Sequence, residues 1–409
     1  MNAHFTMLAD DLSGAADCAV PFARAGFSTE VFLQPELVAR TDPSVASIDL
    51  NTRGLAPVAA MGVTARALRF IRRNRETVWY RKIDSTLRGN IGPDVLATVR
   101  GIPEKRVIIC APAFPETGRT TLQGNVLVNG MGLDKSGVNF GWPVGKSVSD
   151  LFVEVGLATQ VLSLEVIRSG GGEILRRLLS IPGVTVAVCD AETNSDLLAI
   201  AEAGLQIRRE SIFVGSAGLA HQLATLAGTQ QRDALPVVLS DKPILLVVGS
   251  KSAVSRGQFD LLSNAPGLDI LRMPITAMKS ENHPLLLTGL RRALADGQDL
   301  AITVELDGSA RDWQDAEMMK VLGRALSGYL DQFAAVILTG GETARALLSQ
   351  SEIGCLQVID EIEPGITLSM AAGKPPLPVV MKAGAFGEPT SLLNALQFLR
   401  SRKKNEIIS

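Results

Sequence analysis

Ile244-Leu245-Leu246-Val247-Val248-Gly249-Ser250-Lys251-Ser252 is an unbroken apolar run that ends in a glycine and a short polar turn. A strand with one wet face would alternate apolar and polar residues; a continuous run predicts a strand buried on both faces, the mark of a parallel sheet covered by helices. The same pattern recurs at Val107-Ile108-Ile109-Cys110, Val184-Thr185-Val186-Ala187-Val188, Ile212-Phe213-Val214 and Ala335-Val336-Ile337-Leu338. Amphipathic segments at 58–72, 195–203 and 317–330 fall between the runs, so the chain reads as α/β. With 409 residues there is enough chain for more than one core, and the break in pattern at Gln230-Gln231-Arg232-Asp233 and Pro236 predicts two domains. We expect 1–235 to form one and 236–409 the other, each a mainly parallel sheet flanked by helices, with the active site in the cleft between them. Residues 130–149, rich in glycine and weakly periodic, read as a long loop bordering that cleft.

Composition removes several classes of function. Lys and Arg total 40 against 42 Asp and Glu, with no long cationic run, so a nucleic-acid partner is not expected. Cys18, Cys110, Cys189 and Cys355 are widely spaced and only 3 histidines are present, which does not fit a zinc site. Free thiols, no export-type N-terminus and no membrane-length apolar run give the expectation of a cytoplasmic protein. Gly141-Trp142-Pro143-Val144-Gly145-Lys146-Ser147 is one residue short of Walker A spacing and follows no strand, and no GxGxxG follows a strand either.

The chemistry concentrates in Tyr80-Arg81-Lys82-Ile83-Asp84-Ser85-Thr86-Leu87-Arg88-Gly89-Asn90. Lys82 and Arg88 suit an anion, and Asp84 can accept a hydroxyl proton or hydrogen bonds. Asp10 and Asp11 end the first apolar run, where open parallel sheets bind ligands; one of them is also placed to cap a helix starting near Ser13. Gly249 to Ser252, Gly340-Gly341-Glu342-Thr343 and Gly384-Ala385-Phe386-Gly387 are turns whose backbone N–H groups can meet phosphate, although such turns also serve only as tight connections. Phe386 could stack on a base or fill the core. Arg400, Arg402, Lys403 and Lys404 fall at the end of an amphipathic helix, where cations complement the helix dipole.

The segment ending Gly89-Asn90 resembles the KxDSTLRGN signature of the four-carbon acid sugar kinase family. Met7 to Ala15 is similar to its ADDxxGA opening, Ala113 to Thr121 to its PAFPxxGRTT loop and Gly215 to Ala220 to its GSAGLA turn. The three glycine turns of the second half resemble its nucleotide-side motifs, so the likeness spans nearly the whole chain in one order. It departs at Trp142-Pro143, which lacks a preceding acidic residue, and at Glu388-Pro389-Thr390, where related sequences carry an aspartate.

The resemblance implies an ATP- and Mg²⁺-dependent kinase acting on the 4-hydroxyl of a four-carbon sugar acid, D-threonate first, with D-erythronate and 3-oxo-tetronate as alternatives. It implies substrate contacts from Asp10, Asp11, Arg53, Lys82, Ile83, Asp84 and Ser85, with Arg53 holding the acid's carboxylate and Asp84 or Asp11 serving as the catalytic carboxylate. Ser252, Gly340, Gly341, Glu342, Thr343, Gly384 and Gly387 fall on the nucleotide side, and the metal ligands stay unassigned. His221 is expected to be structural. The expected partners are the acid and ATP, with a homodimer as the assembly to test and neither nucleic acid nor membrane. Two other classes stay open on the residues: a sugar-acid sensor without turnover, and an aldolase or dehydratase using Lys82 and the aspartates.

Overall fold

The computed structural model describes residues 4–71, 74–139, 141–228, 237–279, 283–305, 315–373 and 376–403. It divides into two compact units, Met1–Arg232 and Asp233–Ser409. The boundary expected at 235/236, with its Gln230 to Pro236 signal, lies outside the described residues, as does Lys404.

The strands of the first unit are β1 (Phe5–Ala9), β2 (Thr29–Phe32), β3 (Val45–Asp49), β4 (Val78–Lys82), β5 (Val107–Ala111), β6 (Arg119–Leu122), β7 (Asn125–Val128), β8 (Met131–Gly132), β9 (Ala158–Leu162), β10 (Thr185–Cys189) and β11 (Ser211–Gly215). Its helices are α1 (Leu12–Arg24), α2 (Val38–Thr41), α3 (Pro57–Ala67), α4 (Ile91–Gly101), α5 (Val148–Val153), α6 (Leu164–Arg168), α7 (Gly171–Leu179), α8 (Asn194–Gln206) and α9 (Ala217–Ala227). The main strands run parallel in the order β2-β3-β1-β4-β11-β5-β10-β9. Tyr80 and Phe213 enter a core with Phe22 of α1 and Leu219 and Leu223 of α9, while α3 and α4 pack on each other across the opposite face.

The second unit contains β12 (Ile244–Val248), β13 (Leu268–Pro274), β14 (Asp299–Glu305), β15 (Ala335–Thr339), β16 (Cys355–Glu363), β17 (Ile366–Ala371) and β18 (Leu377–Lys382), with α10 (Ala253–Leu262), α11 (Pro284–Asp296), α12 (Asp315–Ser327), α13 (Gly341–Gln350) and α14 (Ser391–Arg400). Its order is β13-β14-β12-β15-β18-β17-β16, parallel as far as β18 and antiparallel at β18-β17 and β17-β16.

Two local expectations change, and the aspartate cap expected for the first helix is found. The residue 130–149 loop contains β8 and the capped start of α5, because Leu127 registers with Gly132 and Ser147 accepts from the Asp150 N–H while Asp150 accepts from the Ser147 N–H. The helix expected near Ser13 starts at Leu12 because Asp11 caps it. The cations ending α14 do more than complement its dipole: Arg400 Nε lies 2.7 Å and Lys403 Nζ 3.4 Å from the buried Asp299 carboxylate, and Arg402 stacks over Phe398. Among the described residues no helix is long and apolar enough to cross a membrane.

Candidate active site

Register brings the first set of residues together. Ala9 is level with Asp49 on β3 and with Lys82 on β4, and Lys82 is level with Gly215 on β11. The residues just past these ends therefore share the carboxyl edge of the sheet, where β1 lies between β3 and β4 and the chain changes direction across the sheet; this is the topological position at which parallel sheets bind ligands. The Asp10 carbonyl accepts from the N–H groups of Thr52 and Arg53, which ties the β3 turn to the end of β1.

Arg53 spreads its guanidinium over both aspartates. Nε and Nη2 donate to Asp10 at 2.7 and 2.9 Å, and Nη1 and Nη2 donate to Asp11 at 3.0 and 2.9 Å. The group expected to hold a substrate carboxylate is thus engaged by the protein's own carboxylates. Asp84 accepts from Arg88 Nε and Nη2 at 2.9 and 2.8 Å and from the Thr86 N–H and hydroxyl, with Arg53 Nη2 3.8 Å away. Lys82, buried, donates to the Ile83 carbonyl at 3.0 Å. Ile83 itself is 2 % exposed and its N–H donates to the Gly215 carbonyl at 2.8 Å, which leaves a ligand only the second lone pair of its carbonyl, and Ser85 is half-buried at the head of the turn.

The two candidate carboxylates differ electrostatically. Burial alone would raise Asp84, but its hydrogen bonds from Arg88 and the charge of Arg53 win and hold it far below the usual carboxylate range. At Asp11 burial dominates and, with Asp10 adding to it, raises the carboxyl above its ordinary 3.8 despite Arg53. Burial works against the charge on Lys82 too, yet the neighbouring acidic groups, Asp11 and Asp10 among them, keep its pKa above the ordinary lysine value.

Gly14, on the first turn of α1, is where this cluster most needs a missing side chain. A Cβ there would lie 2.5 Å from Asp11 Oδ1 and 2.9 Å from Lys82 Nζ. Both are side-chain ends that can move, so Gly14→Ala is expected to leave unfolding within about 1–2 kcal/mol of wild type, helix propensity offsetting crowding. Displacing both groups should nevertheless lower kcat/KM about tenfold or more. Steady-state kinetics beside a urea titration checks this, and unaltered kcat/KM would sink it.

The second set converges in the same way. Val248 is level with Thr339 on β15, and Thr339 with Lys382 on β18, so the turns after β12, β15 and β18 meet at one edge. Ser252 caps α10 and its hydroxyl donates to the Gly384 carbonyl at 2.5 Å, as does Ser255 at 2.6 Å. The missing side chain of Gly384 lets Ser250 of the β12 turn come close: a Cβ would fall 2.2 Å from Ser250 Oγ. Gly340 precedes α13, whose first turn holds Gly341, exposed Glu342 and buried Thr343, and the Thr343 hydroxyl donates to Met319 Sδ at 3.3 Å. Gly387 ends the third turn beside half-buried Phe386, against which Gly365 packs.

Lys382, which ends β18, is not among the residues that the sequence pattern singles out. It is 1 % exposed, and its ammonium donates to the carbonyls of Ala383 and Phe386, both at 2.9 Å, which holds the third turn together. Burial pushes it down to about 8. The signal for it was present: a lysine closing an apolar strand before a glycine turn, as at Lys82. Arg81 was likewise missed. It is fully buried and ion-paired to Asp94, which also accepts from Thr52 and Thr64 and so fixes the residue beside Arg53. His221 packs edge-on to Phe114, in keeping with a structural role, and Asn139, from the long loop, donates to the Thr86 carbonyl at 2.7 Å.

No group of three or more His, Cys, Asp or Glu suited to a metal occurs among the described residues. Glu342 is the carboxylate that the nucleotide-side turns offer, which fits Mg²⁺ only in the manner usual for that ion: one or two carboxylates, with phosphate and water supplying the other ligands.

Comparison with known proteins finds a separate domain model for each part of the chain. Residues 5–223 match the model of a sugar-binding N-terminal domain and residues 245–392 that of a nucleotide-binding C-terminal domain. The chain is 34 % identical to the D-threonate kinase of Cupriavidus necator over 96 % of its own length and 97 % of that protein. It is 30 % identical to the D-threonate kinase of Salmonella typhimurium, with 96 % and 97 % covered. A crystal structure of a Haemophilus influenzae protein shares the fold at a TM-score of 0.73 and 21 % identity, covering 96 % of this chain and 100 % of that one. With both domain models matched in order along a chain that aligns over nearly its full length with these kinases, the protein belongs to the four-carbon acid sugar kinase family.

Proposed function

We propose that the chain transfers the γ-phosphoryl group of MgATP to the 4-hydroxyl of D-threonate, giving 4-phospho-D-threonate. The observation that carries this reading is the coexistence of two unlike sites. One is a carboxylate–guanidinium cluster at the edge of the first sheet; the other is a set of convergent glycine turns and helix starts in the second unit. A sensor of one small acid, or an aldolase, has no use for the second set.

In this reading the unit before the boundary at 235/236 binds the acid through Asp10, Asp11, Lys82, Asp84, Ser85 and the backbone at Ile83, with Arg53 holding the aspartates in place. The backbone N–H groups of Gly341, Glu342, Thr343, Gly384 and Gly387 meet the nucleotide phosphates, while Gly340, whose N–H donates to the Lys382 carbonyl, and Ser252, whose hydroxyl donates to the Gly384 carbonyl, hold the turns together. Glu342 would be the protein-side carboxylate for Mg²⁺, which would supply neutralisation of the charge on those phosphates. Asp11 takes the proton of the 4-hydroxyl as the new O–P bond forms and the bond to the ADP oxygen breaks. Its raised pKa suits it to accept a proton, whereas the carboxylate of Asp84, held strongly in its ionised form, serves better as an anchor. Lys82 stays cationic beside the developing negative charge. The names of the two relatives support D-threonate as the acid.

The test is ADP release with MgATP and each of D-threonate, D-erythronate, L-threonate and 3-oxo-tetronate, against a no-acid control. D-threonate should give the highest kcat/KM. A preference for another of the acids reassigns the substrate, and acid binding without ATP consumption replaces the kinase with a sensor.

A further inference from the structure

We propose that Arg119, rather than Arg53, receives the carboxylate of the acid substrate; the inference rests on the acid-kinase reading above. A monoanion entering this site meets the carboxylates of Asp10, Asp11 and Asp84, so it needs a cation that those groups have not already engaged. Arg53 has Nε and both terminal nitrogens on Asp10 and Asp11, and Arg88 has Nε and Nη2 on Asp84. Lys82 is turned to its own neighbour's carbonyl.

Arg119 differs from all three. Its Nη1 donates to the Thr117 carbonyl at 2.7 Å, and its Nε is buried without a hydrogen-bond partner among the described residues. Such a donor costs free energy until something accepts from it. The residue begins β6 just beyond the carboxyl end of β5, and β5 is joined to β4 through β11, so Arg119 stands at the same sheet edge as Lys82 and Asp84. Its backbone is pinned: the Phe114 N–H donates to the Arg119 carbonyl at 2.8 Å, and the Arg119 N–H donates back to the Phe114 carbonyl at 3.1 Å. Burial disfavours its charge, while Asp84 favours it and Arg88 opposes it, so the guanidinium feels the field of the site without being neutralised by it. A planar fork held at its root, with an unspent donor, suits bidentate capture of a carboxylate.

Arg119→Gln and Arg119→Lys, compared with wild type on D-threonate and on its uncharged analogue D-threonamide, test the assignment. Calorimetric binding of D-threonate without nucleotide comes first, followed by ADP release. Arg119→Gln should weaken D-threonate binding and raise its KM about 10²-fold, leave KM for ATP within about twofold, and change D-threonamide turnover by less than about threefold. Arg119→Lys, which keeps the charge but loses the fork, should recover only part of the loss. An equal fall on acid and amide, or acid binding that survives Arg119→Gln, overturns the inference and leaves the kinase reading standing. Arg119-dependent binding with no ADP release by wild type supports the inference and sinks the kinase reading. No binding of D-threonate to wild type overturns both.

Discussion

Asp11→Asn is expected to lower kcat by about 10²–10³-fold while leaving the fold intact. The amide keeps an oxygen able to accept the Gly14 N–H bond that Asp11 Oδ1 now accepts at 3.1 Å, so the cap on α1 survives and a loss of turnover reports on proton transfer. The pH dependence adds a second readout. A general base must be ionised to act, so wild-type kcat should fall as pH drops through the Asp11 pKa, which burial raises above 3.8, and Asp11→Asn should lose that acidic limb. Asp84→Asn should behave differently, raising KM for the acid by freeing Arg88 and leaving the limb in place. Near-normal turnover in Asp11→Asn, with the limb gone from Asp84→Asn instead, would transfer the base to Asp84.

Asp94→Ala is expected to cost about 3–5 kcal/mol of stability. Its partner Arg81 is 0 % exposed, and Arg81 Nε and Nη1 already lack hydrogen-bond partners among the described residues. Removing the carboxylate would leave a guanidinium inside the protein with no counter-charge, and would also strand the hydroxyls of Thr52 and Thr64. Replacing the pair together, Asp94→Leu with Arg81→Met, should cost much less, because the desolvation of both charges disappears with them. Urea titrations read through the midpoint and slope distinguish the cases. A loss under about 1 kcal/mol in Asp94→Ala would mean that water or a neighbouring group reaches Arg81 after all.

The two predictions separate side chains that act on substrate from those that hold them. Asp11 and Asp84 lie within the same charged cluster, with Arg53 hydrogen-bonded to Asp11 and 3.8 Å from Asp84, yet burial dominates one and arginine contacts dominate the other. Two residues of one type, both ending strands of one sheet, therefore take different parts. Arg81 and Lys82 are neighbours on β4 and so point to opposite faces: Lys82 approaches Gly14 of α1, and Arg81 meets Asp94 of α4.

The amino-acid sequence by itself determined the α/β class, because strands buried on both faces leave continuous apolar runs that no local context disguises. It also determined which turns carry glycine, serine and charge, and hence that Asp10, Asp11, Lys82 and Asp84 were worth weighing. Much less legible were the strands β16 and β17, whose antiparallel pairing follows from contacts made after the parallel sheet exists. Only the tertiary structure decided that Arg53 spends its donors on Asp10 and Asp11, 43 and 42 residues away in the chain. It likewise decided that Arg81 pairs with Asp94, that Lys382 binds the third turn, and that Arg119 keeps a donor unspent. The reason is physical. Local pattern specifies whether a segment buries one face or two, but the identity of a side chain's partner depends on strand order and register, which bring together residues that have no local relation.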